Sequence, residues 1–252
     1  MPNIDNFRVS PYGASTQGIY EESSTQKLPL GTKVEFSDGR VFRYAYIGGS
    51  SINRGCIVGP DYSAKCYVET DDVITAAAIG ATTVDITLAS ITANQFAGGY
   101  LHITDDTGEG YTYRIKSNDA TDGAAGSGKI RLTLYDPLIA ALDATTDFAI
   151  TGCMYNYLVI FDATGGDDFL VSGVTPITFT ANYYGWIQTW GVCTILADAS
   201  AGAIAAGDCI SSSDGVDGAV QLQAAYTEQY IGYALFAPDD TGHIGVWLQL
   251  CP

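Results

Sequence analysis

The sequence predicts an all-β protein: two or three small β-barrel or β-sandwich modules behind an extended N-terminal arm. Three observations carry this. Strand-length runs of Val, Ile, Thr, Tyr and Phe recur along the chain, Gly, Asp, Asn and Pro cut them apart, and no long amphipathic pattern of helical period comes between them. A chain of this size buries roughly 70–75% of its unfolded surface, which is enough for one or two domains.

Residues 1–29 are polar, hold Pro2, Pro11, Pro29, Gly13 and Gly18, and lack periodic apolar residues, so they read as an arm that orders on binding. Residues 30–72 open with TKVEFSDGRVFRYAYIGG, where Asp38-Gly39 between alternating apolar runs signals a hairpin. This segment is expected to pack with the C-terminal module. Residues 73–152 contain TTVDITL, GYLHIT, GYTYRIKS, KIRLTL and FAIT, which read as an inserted β-barrel domain. Within it, LYDPLIAALD (134–143) is the one candidate for a helical turn, since Pro137 suits a first helical position. Residues 153–252 give YLVIF, ITFTANYY, GWIQTW, GVCTIL, CISS, AVQL, YIGYAL and IGVWLQL, with turn chemistry at Gly165-Gly166, Asp214-Gly215 and Asp217-Gly218. They read as a C-terminal β-barrel.

The net charge of −17 is unevenly spread. Residues 1–65 carry Arg8, Lys27, Lys33, Arg40, Arg43, Arg54 and Lys65 against Asp5, Glu21, Glu22, Glu35, Asp38 and Asp61, a near balance. Beyond Arg131 there is no Lys or Arg, while acidic residues continue from Asp136 to Asp240. Phosphate neutralisation needs Lys or Arg, so this half excludes nucleic acid as a partner. The charge either keeps the protein soluble or marks polarity, with a near-neutral face for docking and an acidic face toward solvent. No run approaches eighteen apolar residues and the N-terminus has no apolar signal core, so no membrane span is expected, and synthesis in a cytosol is.

Cys56, Cys66, Cys153, Cys193, Cys209 and Cys251 show no C-x-x-C and no His at ligand spacing. Most sit in apolar runs, where a thiol behaves as a small hydrophobe; zinc is not expected, and neither is any cofactor. Gly123-Ala-Ala-Gly-Ser-Gly128-Lys129 matches most of a phosphate-binding loop, but Ile130 stands where the hydroxyl is required and a strand follows, so it reads as a hairpin loop. The two histidines, His102 and His243, have no nucleophile elbow with them.

The pairs Asp71-Asp72, Asp105-Asp106, Asp167-Asp168 and Asp239-Asp240 read first as solvated turns. Calcium is the better functional reading of DDTGEG (105–110) and SDGVDG (213–218), ahead of the paired carboxylates of a glycosidase. In YYGWIQTW, Tyr183, Tyr184, Trp186 and Trp190 are either core, an interface anchor or a sugar platform, and period two places Tyr184, Trp186, Gln188 and Trp190 on one face.

The run GWIQTWGVCTIL…AGAIAAGDCISSS…GAVQL…YIGYALFAP…IGVWLQL resembles the β-barrel of tailed-bacteriophage capsid decoration (cement) proteins, of the marine-phage type. The likeness extends over most of residues 31–250, with 73–152 as an addition that short single-barrel cement proteins lack. It implies a structural virion protein on the outer capsid surface, assembled in the host cytoplasm, bound to the major capsid protein at joints between capsomers, often as a homotrimer, and not an enzyme. Combined with the charge map, it makes Arg8, Tyr12, Tyr20, Lys27, Lys33, Arg40 and Arg43 the candidate capsid contacts. The alternatives are a receptor- or glycan-binding head-fibre or tail-associated domain, and a glycan-degrading enzyme.

Overall fold

A computed structural model describes residues 17–61, 74–163, 170–198, 200, 202–225, 228–237 and 242–252, together with the backbone of 8–9 and 67–70. The elements in order are β1 (Arg8–Val9), β2 (Lys33–Phe36), β3 (Val41–Tyr46), β4 (Ile57–Pro60), β5 (Tyr67–Thr70), β6 (Thr83–Thr87), β7 (Tyr100–Asp105), β8 (Thr112–Asn118), β9 (Lys129–Leu134) and β10 (Asp147–Thr151). There follow β11 (Leu158–Ile160), β12 (Gly173–Val174), β13 (Tyr184–Leu196), β14 (Cys209–Ser212), β15 (Val220–Leu222), β16 (Tyr230–Ala234) and β17 (His243–Gln249). The fold is all-β, as the alternation predicts, and the described residues hold no α-helix.

The chain divides into two compact units, one of Met1–Asp61 with Met154–Pro252 and one of Tyr62–Cys153. In the first, the strands run β1-β2-β3-β13-β17-β16-β14-β15, with β4, β11 and β12 attached beside β13. Asp38-Gly39 makes the expected hairpin between β2 and β3: the Gly39 amide donates to the Phe36 carbonyl at 3.0 Å and Asp38 accepts from the Arg40 amide. β13 is the spine. Its first half pairs with β3 (Trp186↔Tyr44) and its second half with β17 (Cys193↔Val246).

Apolar side chains on alternate positions meet in successive clusters along this sheet. One is built on Ile195, Ile210, Ile231, Ile244 and Val246, one on Ala45, Ile47, Val58 and Ile187, and one on Phe36, Phe42, Tyr44 and Trp186. Burying each such Ile, Val or Phe contributes about 1.5–3 kcal/mol.

The second unit is a six-stranded antiparallel sheet in the order β5-β10-β7-β8-β9-β6. Period-two patterning sends Ile130, Leu132 and Leu134 of β9 inward to join Leu101, Ile103, Ile115 and Phe148 in one core. On the outward face, Arg131 of β9 makes a two-pronged ion pair at 2.6 and 2.7 Å with its cross-strand partner Asp85.

Three sequence expectations change. Residues 17–29 are not a free arm: Ile19 and Gln17 are buried, Ser23 bridges to Tyr184, and Leu28 packs on the Trp186 cluster. Their side chains fill holes in a sheet made elsewhere, so they need no periodicity of their own. Residues 134–143 form no helix; Leu138 and Leu142 are buried from an irregular segment that bridges Ala77 to Leu142. Finally, Tyr67–Thr70, grouped by sequence with residues 30–72, pairs with β10 and belongs to the second unit.

Candidate functional site

The first unit carries a cleft of about 460 Å³ along the second half of β13. Its floor follows from how β13 changes partners. A register shift between Gln188 and Trp190 is followed by Gly191 at φ 86°, where an added Cβ would stand 3.0 Å from the Arg40 Cα, so a side chain is excluded. Trp190 is the last residue paired with β3. Beyond it no strand of the described residues lies along that edge of β13 until Leu196, whose amide donates to the Gly55 carbonyl at 2.7 Å.

Within the gap, the Val192 carbonyl accepts from Gln188 Nε2 at 2.9 Å. Antiparallel strands turn the backbone groups of alternate residues to the same side, so the amides of Val192 and Thr194 and the Thr194 carbonyl face the gap as well. No hydrogen bond to these three groups is found among the described residues. Val192 and Thr194 also expose their side chains.

Arg40 forms one wall. Its Nε lies 2.7 Å from Asp38 Oδ2, and its guanidinium carbon stands 5.4 and 5.8 Å from the ring centres of Phe36 and Phe42. Burial pulls the Arg40 pKa down, but hydrogen bonds and charge from Asp38 and Tyr20 outweigh it, so the guanidinium is held more firmly protonated than usual. Asp38 feels the counterpart: burial works against its charge, and the Arg40 contacts hold its carboxyl below the usual range.

The opposite wall is the loop before β4. Thr175 donates to the Asn53 carbonyl at 2.7 Å, accepts from the Cys56 amide at 3.1 Å, and through its own carbonyl accepts from the Gly55 amide at 2.7 Å. This fixes the loop that presents Arg54. Gly55 has φ 75°, and a Cβ on it would meet Cδ2 and Nε2 of the His243 ring at 2.7 and 2.8 Å, so the absence of a side chain lets the imidazole pack against the backbone there. Arg54 and His243 are exposed at the rim, and Tyr20 closes a further side at 63% exposure.

No Asp or Glu lines the cleft among the described residues; Asp38 offsets the charge of Arg40, and Arg54, with no ion pair among the described residues, leaves the cleft cationic in a chain of net charge −17. Cys193 also borders it, but burial pushes its thiol up to about 12, so it stays protonated and is no nucleophile at neutral pH. The chemistry on offer is recognition: carboxylate or phosphate oxygens for the guanidinium groups, and backbone donors and an acceptor for an extended chain.

The candidate capsid contacts fall in different settings. Tyr20 and Arg40 meet at the cleft. Lys27 is exposed, and Lys33 pairs with Glu35 at 3.2 Å on the surface. Arg43 is occupied: its Nη groups donate to the carbonyls of Gly31 and Pro252, both at 3.2 Å. Arg8 lies in β1, described by backbone alone, and Tyr12 lies outside the described residues.

Of the four aromatics, Trp186 is 1% exposed and serves the core, its Nε1 donating to the Gln17 carbonyl at 3.1 Å. Tyr184 is half-buried against Tyr46, with ring centres 4.6 Å apart, and Tyr183 and Trp190 are also half-buried. The expected common face therefore turns inward at Trp186 and Gln188. Sequence reasoning missed Arg54 and His243 as site residues. Arg54 was visible only as one basic residue among several, and His243 only as a turn histidine.

No family model, curated protein or solved structure matches this chain. The other motifs resolve locally. In the glycine-rich loop, Asp119 and Asp122 accept from the Ala124 and Gly128 amides, both at 2.6 Å, so carboxylates occupy the donors a phosphate would need. Asp105 accepts from the Asp106 amide, Asp214 from Gln221 and Asp217 from the Ala163 amide. No cluster of three potential ligands for a metal is found among the described residues. Asp71-Asp72, Asp167-Asp168 and Asp239-Asp240 lie outside them.

Proposed function

We propose that this chain is a structural virion protein that binds the outer surface of a mature tailed-phage head and stabilises joints between capsomers of the major capsid protein. The observation that supports it most is the coherence of residues 185–250. The segments that resemble decoration proteins form one continuous antiparallel run, β13-β17-β16-β14-β15, around a shared core of Ile, Val and Leu. Its mechanism is mass action: a protein that binds only the expanded shell adds its binding free energy to that shell. Specific attachment needs a contact of about 1,200 Å² or more per copy, and trimerisation would multiply the hold.

The glycan-binding alternative relied on an exposed aromatic platform, and the burial of Trp186 removes its central member. The test is sedimentation of purified protein with expanded and unexpanded heads, with copy number measured by quantitative mass spectrometry. A fixed, high copy number on expanded heads alone is expected. A low or variable number, or location on the tail, overturns the proposal.

A further inference from the structure

We infer that the cleft beside β13 takes an extended acidic peptide segment of a partner protein, which adds as a short strand at Val192–Thr194 and places carboxylates against Arg40 and Arg54. The site stands whether or not the chain binds a capsid.

Two independent features converge on this occupant. The first is the interrupted edge of β13. Between Trp190, paired with β3, and Leu196, bonded to Gly55, six residue rises of about 3.3 Å leave roughly 20 Å of strand, and on the edge away from β17 only the Val192 carbonyl has a partner among the described residues, Gln188. The amides of Val192 and Thr194 and the Thr194 carbonyl present the pattern an incoming strand satisfies, the recognition mode in which main-chain bonds supply affinity and flanking pockets supply specificity. The cleft volume suits a few residues of chain and falls within the range of ligand sites.

The second feature is the sign and stiffness of the walls. Arg40 is braced by Asp38 at its Nε, by a hydrogen bond to Tyr20 and by two phenyl rings, and its guanidinium fork still has N–H donors left over for an external carboxylate. Arg54 stands on a loop anchored by Thr175, beside the His243 imidazole. A guanidinium at each end with backbone donors between them selects a chain bearing acids, since an uncharged peptide satisfies the floor and leaves the walls unpaired. The chain's own residues 1–16 hold one acid, Asp5, and do not match this.

The test uses the full chain and a fluorescein-labelled Ala-Asp-Val-Asp-Thr-Gly peptide, followed by anisotropy and by ¹⁵N chemical shifts. The acidic peptide is expected to bind at least tenfold tighter than its Asn isostere, and to shift the amide signals of Val192 and Thr194. Arg54→Gln, an exposed change with no role in the core, is expected to weaken binding at least fivefold with an unchanged thermal melt. Thr194→Pro removes the floor donor on an unpaired edge, where proline is tolerated, and is expected to abolish binding while both arginines remain. Equal affinity for the Asn isostere, no effect of either variant, or no binding at millimolar peptide overturns the inference. So does inorganic phosphate that competes at equal concentration without moving the Val192 and Thr194 amides, which would mark a simple anion site.

Discussion

Replacing Trp186 by alanine tests whether the aromatic run on β13 is core or surface. The side chain is 1% exposed, meets Tyr44 edge-on with ring centres 5.2 Å apart, and donates to the Gln17 carbonyl. An indole of this kind buries about 150–250 Å², worth about 4–6 kcal/mol of transfer free energy as an upper bound. Measured losses for Trp or Phe to alanine in cores are about 3–5 kcal/mol. The Gln17 carbonyl, left without its donor, adds about 1 kcal/mol. A loss near 4–5 kcal/mol follows. At a urea dependence of about 2 kcal/mol per molar, the midpoint falls by about 2 M.

The assay is urea unfolding followed by tryptophan fluorescence, which reports the first unit alone because Trp186, Trp190 and Trp247 all belong to it. Trp190→Ala, half-buried, is the comparison and is expected to shift the midpoint by less than half as much. Cleavage by protease within residues 17–30 is expected to accelerate in Trp186→Ala, since that segment is pinned by Gln17 and Ile19. A midpoint shift under 0.5 M, on the same urea dependence of about 2 kcal/mol per molar, would refute the packing argument.

Three further outcomes are expected. Burial lowers the pKa of His102 below its ordinary value of 6.5, so the unfolded chain takes up the proton first. Stability of the second unit is therefore level above pH 7 and falls as pH drops below about 6.5; His102→Gln flattens that slope between pH 7.5 and 5.5, as read by circular dichroism in urea. Cys193 is expected to resist a disulfide-based thiol reagent at pH 8 in the native protein and to react fully in denaturant, which peptide mapping resolves from the other thiols. Residues 62–153 expressed alone are expected to melt cooperatively, because Leu101, Ile115, Ile130 and Phe148 enclose a core made only of that segment; a non-cooperative melt would count against an independent unit.

The strands were legible in the sequence wherever alternation is clean, as in KIRLTL and around Asp38-Gly39. GWIQTW and GVCTIL read as two segments because Gly191 interrupts them, whereas the structure keeps one strand and uses the glycine to change partners. Residues 17–30 were illegible because plugging side chains follow the holes they fill and have no period. Leu138 and Leu142 imitate helical spacing, yet their burial is satisfied by a loop. The cleft lay beyond sequence reading for a topological reason: Arg40, Arg54 and His243 come from opposite ends of the chain and converge through the pairing of β13 with β3 and β17.

The pairing of β11 with β4 gives the first unit a closed doorway. Leu158 is the cross-strand partner of Pro60, and the Asp61 amide donates to the Tyr157 carbonyl at 3.3 Å, so the chain leaves this unit and re-enters it at neighbouring points. Neighbouring residues across such a ladder are about 5 Å apart, a gap that a turn of two to four residues spans. Everything from Tyr62 to Cys153 is thus exchangeable cargo on a hairpin stem. A domain of unrelated fold whose ends lie close together can be grafted there without reworking the host sheet.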